Sequence, residues 1–236
     1  MGRKVVRVLS LLMVAVGAFA QGLTGMGFGL LCAPFLIATS GPVEGVRQVV
    51  FLSLLLNIVF FLGEARYARG SDALRLLLPA LLVAPLLSVW LHRLQPDTLL
   101  VVAGGLTLVS AGVLALGWRW SRLRGPAGVV SAGALSAAMN VAAGLAGPAV
   151  AMYAVNAAWP TRSGRPTLQL YGCGLNLVTL FNLGFPALRW PLLLSLAVGV
   201  LGSLLLVQHV PQERVRQAIL GLAALGGVLV IWRGLG

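Results

Sequence analysis

Four glycines, Gly22, Gly25, Gly27 and Gly29, fall in the stretch QGLTGMGFGLLCAP that runs from Gln21 to Pro34. Glycine has no Cβ, so it reaches positive φ at no cost and lets a ligand or a second backbone come close. The stretch lies inside a charge-free apolar run, 8–43. In hydrocarbon, unwound backbone is tolerated only where it is buried in protein or lines a cavity. The cluster therefore reads as a broken membrane helix. Its freed N–H groups can hold an anion, because a helix N-terminus combines unpaired donors with a partial positive charge. A second, sparser copy follows at GLAGPAV, with Gly147 and Pro148, where Ala143 and Leu145 stand at the offset of Gly25 and Gly27.

Polar side chains accompany both breaks. Arg47 and Arg165 each open the helix after a break, 118 residues apart. A guanidinium fork matches the oxygens of a carboxylate, sulfite or sulfonate, so the pair is a candidate anion clamp. The alternative is two interfacial arginines whose stems lie along apolar surface while the heads reach the headgroups. Asn57 and Asn176 are 119 residues apart, in Leu-Asn-Ile-Val and Leu-Asn-Leu-Val. Asparagine in hydrocarbon is costly without partners, so each either lines a site or bonds a neighbouring helix. Gln21, Thr24, Gln48, Ser53, Asn140, Asn156, Thr167, Gln169, Tyr171, Thr179 and Asn182 complete the polar set. The candidate substrate-binding residues are Gly25, Gly27, Gly29, Arg47, Asn57, Gly147, Pro148, Arg165, Gln169 and Asn176.

Other chemistries find little here. There is no G-x-S-x-G, H-E-x-x-H or P-loop, so no catalytic residue and no cofactor is expected. His92 and His209 make a poor ligand set by themselves. Cys32 and Cys173 lie in apolar runs without C-x-x-C spacing and read as small buried hydrophobes. Glu44, Glu64, Asp72, Asp97 and Glu213 all sit at run boundaries, so coupling through an intramembrane carboxylate is disfavoured.

The elements that must position these residues follow from composition. The 236 residues are 59% hydrophobic and 9% charged, against about 25% charged in a soluble domain. This is the composition of an integral membrane protein. The net charge of +12 would suggest nucleic acid in a soluble chain. Here the arginines sit in short gaps between apolar runs, where topology signals belong, and no nucleic-acid partner is expected. The basic leader and the Ala18-Phe19-Ala20 sequence resemble a signal peptide, but the apolar run continues to about Thr39. The segment is expected to stay as a first membrane helix.

Charge-free runs at 8–43, 48–63, 76–92, 98–118, 125–161, 166–188, 190–212 and 217–232 suggest about eight transmembrane helices in an all-α polytopic protein. The first and fifth are oversized. Residues 8–39 as one helix would span roughly 48 Å against a hydrocarbon core of ~30 Å, so helices 1 and 5 must break or be partly re-entrant. With one net crossing per run and the N-terminus inside, Arg3, Lys4, Arg7, Arg66, Arg69, Arg75, Arg119, Arg122, Arg124, Arg189 and Arg233 are cytoplasmic, 11 of the 17 basic residues. Doubling back at both oversized runs would leave 7 inside and 10 outside. The positive-inside rule favours the first arrangement, with both termini and the linker cytoplasmic. Offsets of 116–119 divide the chain into a four-helix repeat at 1–118, a basic linker at 119–126 and a second repeat at 127–236. An even number of crossings per unit makes the repeats parallel.

GLTGMGFGLLCAP resembles the first-repeat signature of the TauE/SafE sulfite exporter family, and GLAGPAVAMYAVNAAWP with RPTLQLYGCGLNLVTL resembles its second. The likeness covers essentially the whole chain in order. It implies a multi-pass bacterial inner-membrane transporter whose partners are the lipid bilayer and a small anion: sulfite, an organosulfonate or a related sulfur-containing or carboxylate anion. A non-transporting membrane subunit and an intramembrane enzyme are the competing readings. A polar cavity at the repeat interface would separate a transporter from a scaffold.

Overall fold

The computed structural model describes residues 3–91, 93–117, 125–187, 189–206 and 211–236. His92, His209 and the linker arginines Arg119, Arg122 and Arg124 lie outside the described residues. Among those described there are ten α-helices and no strand. They are α1 (Arg3–Thr24), α2 (Phe28–Ser40), α3 (Pro42–Glu64), α4 (Gly70–Leu91), α5 (Pro96–Leu116), α6 (Pro126–Ala143), α7 (Gly147–Asn156), α8 (Thr161–Leu183), α9 (Trp190–Leu206) and α10 (Gln212–Leu235). A single 3₁₀ turn, Ala65–Tyr67, follows α3.

Local sequence explains the boundaries. Pro42, Pro96 and Pro126 open α3, α5 and α6, where the missing N–H is no loss and φ is already helical. Gly117 and Gly144 close α5 and α6 in the left-handed region, the usual glycine stop. Among the described residues, five helices are long and apolar enough to cross a membrane: those of Pro42–Tyr67, Gly70–Leu91, Pro96–Leu116, Pro126–Ala143 and Glu213–Leu235. Large apolar side chains such as Leu82, Leu86, Leu205 and Leu225 point outward, while Gln21, Asn57, Asn140, Gln169 and Asn176 are buried. An apolar exterior around polar groups is the arrangement of a chain solvated by lipid.

The two oversized runs are hairpins. Cys32 Sγ donates to Met13 O, Ser10 Oγ donates to Thr39 Oγ1, and Gly17 lies against Phe28. Residue numbers fall along α2 as they rise along α1, so α2 returns alongside α1. The reversal occurs at Gly25 (φ 80) and Gly27 (φ 112). In the second unit, Ser136 Oγ on α6 donates to Ala146 O and Leu145 N to Met139 O, and α7 turns back there.

The direction of each unit follows from the contacts between them. α3 and α8 are antiparallel: Arg47 lies by Gly184, Asn57 by Gly172, and Arg165 by Glu64. α5 and α10 are antiparallel as well, with Gly104 against Gly227 and Gly234 against Asp97. At the other end of this pair Arg216 donates to Leu114 O. The second unit therefore runs opposite to the first, the relation of an inverted repeat. This corrects the expected parallel repeat. The expectation assumed that runs one and five each continue in one direction, whereas each folds back on itself, with α3–α5 and α8–α10 following the two hairpins. Both termini lie at one face, with Arg233 donating to Ala38 O. The residues that flank the linker, Gly117 and Gly125, lie at the other face, and the linker itself is outside the described residues.

Candidate functional site

The two hairpin tips meet. A Cβ on Gly29, in the first turn of α2, would stand 2.6 Å from Gly144 O at the break between α6 and α7. Beside this contact is a cavity of about 60 Å³, room for a few waters or a small oxyanion. Eight of the ten candidate residues line it: Gly25, Gly27, Gly29, Asn57, Gly147, Pro148, Gln169 and Asn176. Both half-helices present their N-terminal turns there. Gly27 and Ala146 are the residues that cap them, with no side-chain cap at either. First-turn N–H groups and two positive dipole ends thus converge on one space, although Gln21 takes the N–H of Phe28 and Pro148 has none.

The structural register of the repeat is 119. Gly25 (φ 80) matches Gly144 (φ 69), and the two capping residues match as well. The sparse look of the second turn in the sequence came from aligning Gly25 with Ala143, one residue early.

Two hydrogen-bond relays orient the asparagines. Phe28 N–H donates to Gln21 Oε1, and Gln21 Nε2 donates to Asn57 Oδ1 at 3.0 Å. A backbone N–H can only donate, so the glutamine is fixed, and Asn57 is left with its N–H2 beside Gly172 on the cavity wall. In the second unit Thr179 Oγ1 donates to Leu175 O. With its proton there, Asn140 Nδ2 donates to Thr179 Oγ1 and to Asn176 Oδ1 at 3.0 Å. Asn176 Nδ2 is buried with no protein partner. The bonds Gln21–Asn57 and Asn140–Asn176 both span 36 residues and are repeat mates. The first relay ends on a backbone N–H, which fixes its sense; the second ends on the Thr179 hydroxyl, with its proton on Leu175 O, and leaves Asn140 Oδ1 buried without a protein partner.

The arginines behave otherwise. Neither Arg47 nor Arg165 lines the cavity. Arg165 donates to Gly22 O at 2.7 Å, stands 3.7 Å from Glu64 and lies over Phe60. It neutralises the carbonyl end of α1, where a cation is favoured. Arg47 pairs with Glu44 at 3.8 Å, and its guanidinium packs by Gly184. Gly184 is 19 residues beyond Arg165, so the two arginines are separated by about 28 Å along the α3–α8 pair. An inverted repeat puts equivalent residues at opposite depths, and the structure does not bring the two arginines to one cavity.

Gln21, Ser53 and Tyr171 also line the cavity, and Asn140 supports it from behind. The common 36-residue spacing from Gln21 to Asn57 and from Asn140 to Asn176 was the sequence signal for both relays. Among the described residues that line the cavity, none carries a charged side chain.

A vestibule of about 460 Å³ adjoins the cavity and shares Met26, Gly27, Leu30, Leu114 and Ala151 with it. It lies at the linker face, with Val113 and Gly117 of the α5 end, Met152 and Val155 of α7, and Glu213 and Arg216 of α10. At the terminal face the repeat mates of α5 and α7, namely α10 and α2, are packed together. A Cβ on Gly226 would meet Pro34 at 2.8 Å.

The sequence profile described as Sulfite exporter TauE/SafE matches residues 9–230. The chain belongs to the TauE/SafE sulfite exporter family. No curated protein and no solved structure matches it. The family match covers both hairpins and nearly all of the helices that follow them, so the cavity lies within the part that makes this a TauE/SafE protein. Membership supports a membrane transporter.

Proposed function

We propose that this chain carries a small oxyanion, sulfite in the first instance, across a bacterial inner membrane. The observation that carries the reading is the convergence of two half-helix N-termini and two donor-oriented asparagine amides on one buried cavity. Neutral donors fixed in advance stabilise an anion without the desolvation that a buried cation would cost. Carriers built from inverted repeats hold their substrate at broken helices in the middle of the membrane. A scaffold subunit would fill that space with apolar side chains, and the buried polar lining argues against it.

The unequal faces support alternating access. Here the cavity communicates with the linker face, while α10 closes on α2 at the terminal face. Exchanging the two packings would close α5 on α7 and open the other side. With hairpins at both breaks, Arg3, Lys4, Arg7, Arg47, Arg93, Arg189 and Arg233 fall to the terminal face and the other ten of the 17 basic residues to the linker face. The positive-inside rule then favours a cytoplasmic linker, the reverse of the orientation inferred from single crossings. Flux of labelled sulfite into liposomes containing the purified protein tests the function. Saturable uptake above that of protein-free liposomes is expected, and its absence from well-folded protein would reject the proposal.

A further inference from the structure

Gln169 turns an amide oxygen, and not its N–H2, to the cavity. Gln169, on α8, is 2% exposed and lines the cavity. Its Nε2 donates to Gly25 O at 3.0 Å. A carbonyl can only accept, so the amide cannot be turned over without opposing two oxygens. Gln169 Oε1 is left buried with no protein partner, a costly condition unless something donates to it. The residue at the repeat offset of 119 is Val50, fully buried and apolar. The acceptor therefore has no mate in the first repeat, unlike the paired amides of Asn57 and Asn176.

A fully deprotonated oxyanion would bring lone pairs against Gln169 Oε1. An oxyanion that keeps one proton would donate it there while its other oxygens take the N–H donors of Asn57, Asn176 and the half-helix turns. Charge points the same way. Among the described residues no cationic side chain lines the cavity, and desolvating a dianion in such a space costs far more than desolvating a monoanion. Resting on the anion-carrier reading above, we infer that the cavity selects the singly protonated form of a small oxyanion, hydrogen sulfite rather than the sulfite dianion, and that Gln169 is the residue that reads the proton.

Calorimetric binding of sodium sulfite, sodium sulfate and sodium nitrate to detergent-purified protein tests this, across the pH range in which hydrogen sulfite loses its proton. Only the protonated fraction binds, so the apparent Kd for sulfite should rise about tenfold per pH unit once the dianion dominates. Sulfate, a dianion throughout, and nitrate, a monoanion with no proton, should bind at least roughly tenfold more weakly than sulfite at the acid end, on the strength of one charged hydrogen bond. Gln169→Met should weaken sulfite binding there by roughly ten- to a hundredfold and leave nitrate binding no weaker than in the wild type. The wild-type series stands without the variant, should that fail to fold. Sulfite binding that ignores pH, or sulfate or nitrate binding as tightly as sulfite, would overturn the role of Gln169 and leave the anion site standing. Binding of none of the three at any pH would overturn the anion site itself.

Discussion

Asn57 and Asn176 hold equivalent places in two oppositely directed repeats, and each has its oxygen engaged by the residue 36 positions before it. The partner in the first repeat is Gln21 and in the second Asn140. Each amide is thus held with its N–H2 uncommitted on the wall of one cavity. A fixed donor needs no reorganisation when an anion arrives, which makes it more effective than the same group in water.

The inverted repeat has a direct topological consequence. A reporter fused after Gly236 and one inserted at residues 119–124 should report opposite sides of the membrane. Dual reporters active only in the cytoplasm or only in the periplasm would show this. Signals from the same side would contradict the hairpin reading of α1–α2 and α6–α7.

That point also marks how far the sequence could be read. The glycine breaks, the Asn57–Asn176 pair and the 118–119 offset were visible, because each is a local feature of residue type and spacing. Direction was not. A hairpin that enters halfway and a tilted span use the same number of apolar residues, and a fixed offset is identical for parallel and inverted repeats. Basic residues were left to decide, and they lie at both faces, so the 11-to-6 division depended on the crossings assumed. Arg47 and Arg165 stand far apart for the same reason, since depth depends on direction. Gln21 and Asn140 were legible as polar residues but not as mates, because the break had been aligned one residue early.

The glycines at the breaks should separate by environment. Gly25→Ala places a Cβ at φ 80 and should cost about 1–2 kcal/mol of stability. Gly29→Leu meets Gly144 O and should cost at least about 1–3 kcal/mol as overpacking. At Gly147 an added Cβ meets nothing within 4 Å. Gly147→Ala should therefore fold normally, whereas Gly147→Leu should fold but lose sulfite flux by filling the cavity. Thermal denaturation in detergent and flux, measured together, check all four.

Arg165→Gln should leave the apparent KM for sulfite within about twofold, because the guanidinium serves the end of α1 and Glu64 and does not reach the cavity. Loss of its bond to Gly22 O should appear as lowered stability, by roughly 1.5–3 kcal/mol at most for a charged hydrogen bond. Arg47→Gln should likewise spare KM. A tenfold rise in KM for both variants with unchanged stability would restore the clamp.

Access to the cavity should be one-sided in this state. Met152 lines the vestibule, and Ala33, its mate at offset 119, is fully buried. Met152→Cys should react with a charged thiol reagent applied from the linker face, and Ala33→Cys should resist it from the terminal face. Cys32 is buried, and a Cys173→Ala background removes the half-buried thiol. Equal labelling at both positions would contradict the closed packing of α10 on α2.

The most direct measurement is sulfite counterflow in liposomes containing wild-type, Asn57→Asp or Asn176→Asp protein. Each substitution exchanges a fixed donor for a carboxylate of nearly the same shape, so it changes the sign of what faces the substrate and little else. Labelled sulfite should accumulate transiently in wild-type liposomes preloaded with unlabelled sulfite. Either variant, correctly folded by gel filtration, should lose at least roughly a hundredfold in rate at low sulfite, beyond the loss of a single charged hydrogen bond. Counterflow at the wild-type rate in both variants would contradict an anion site between the two half-helices.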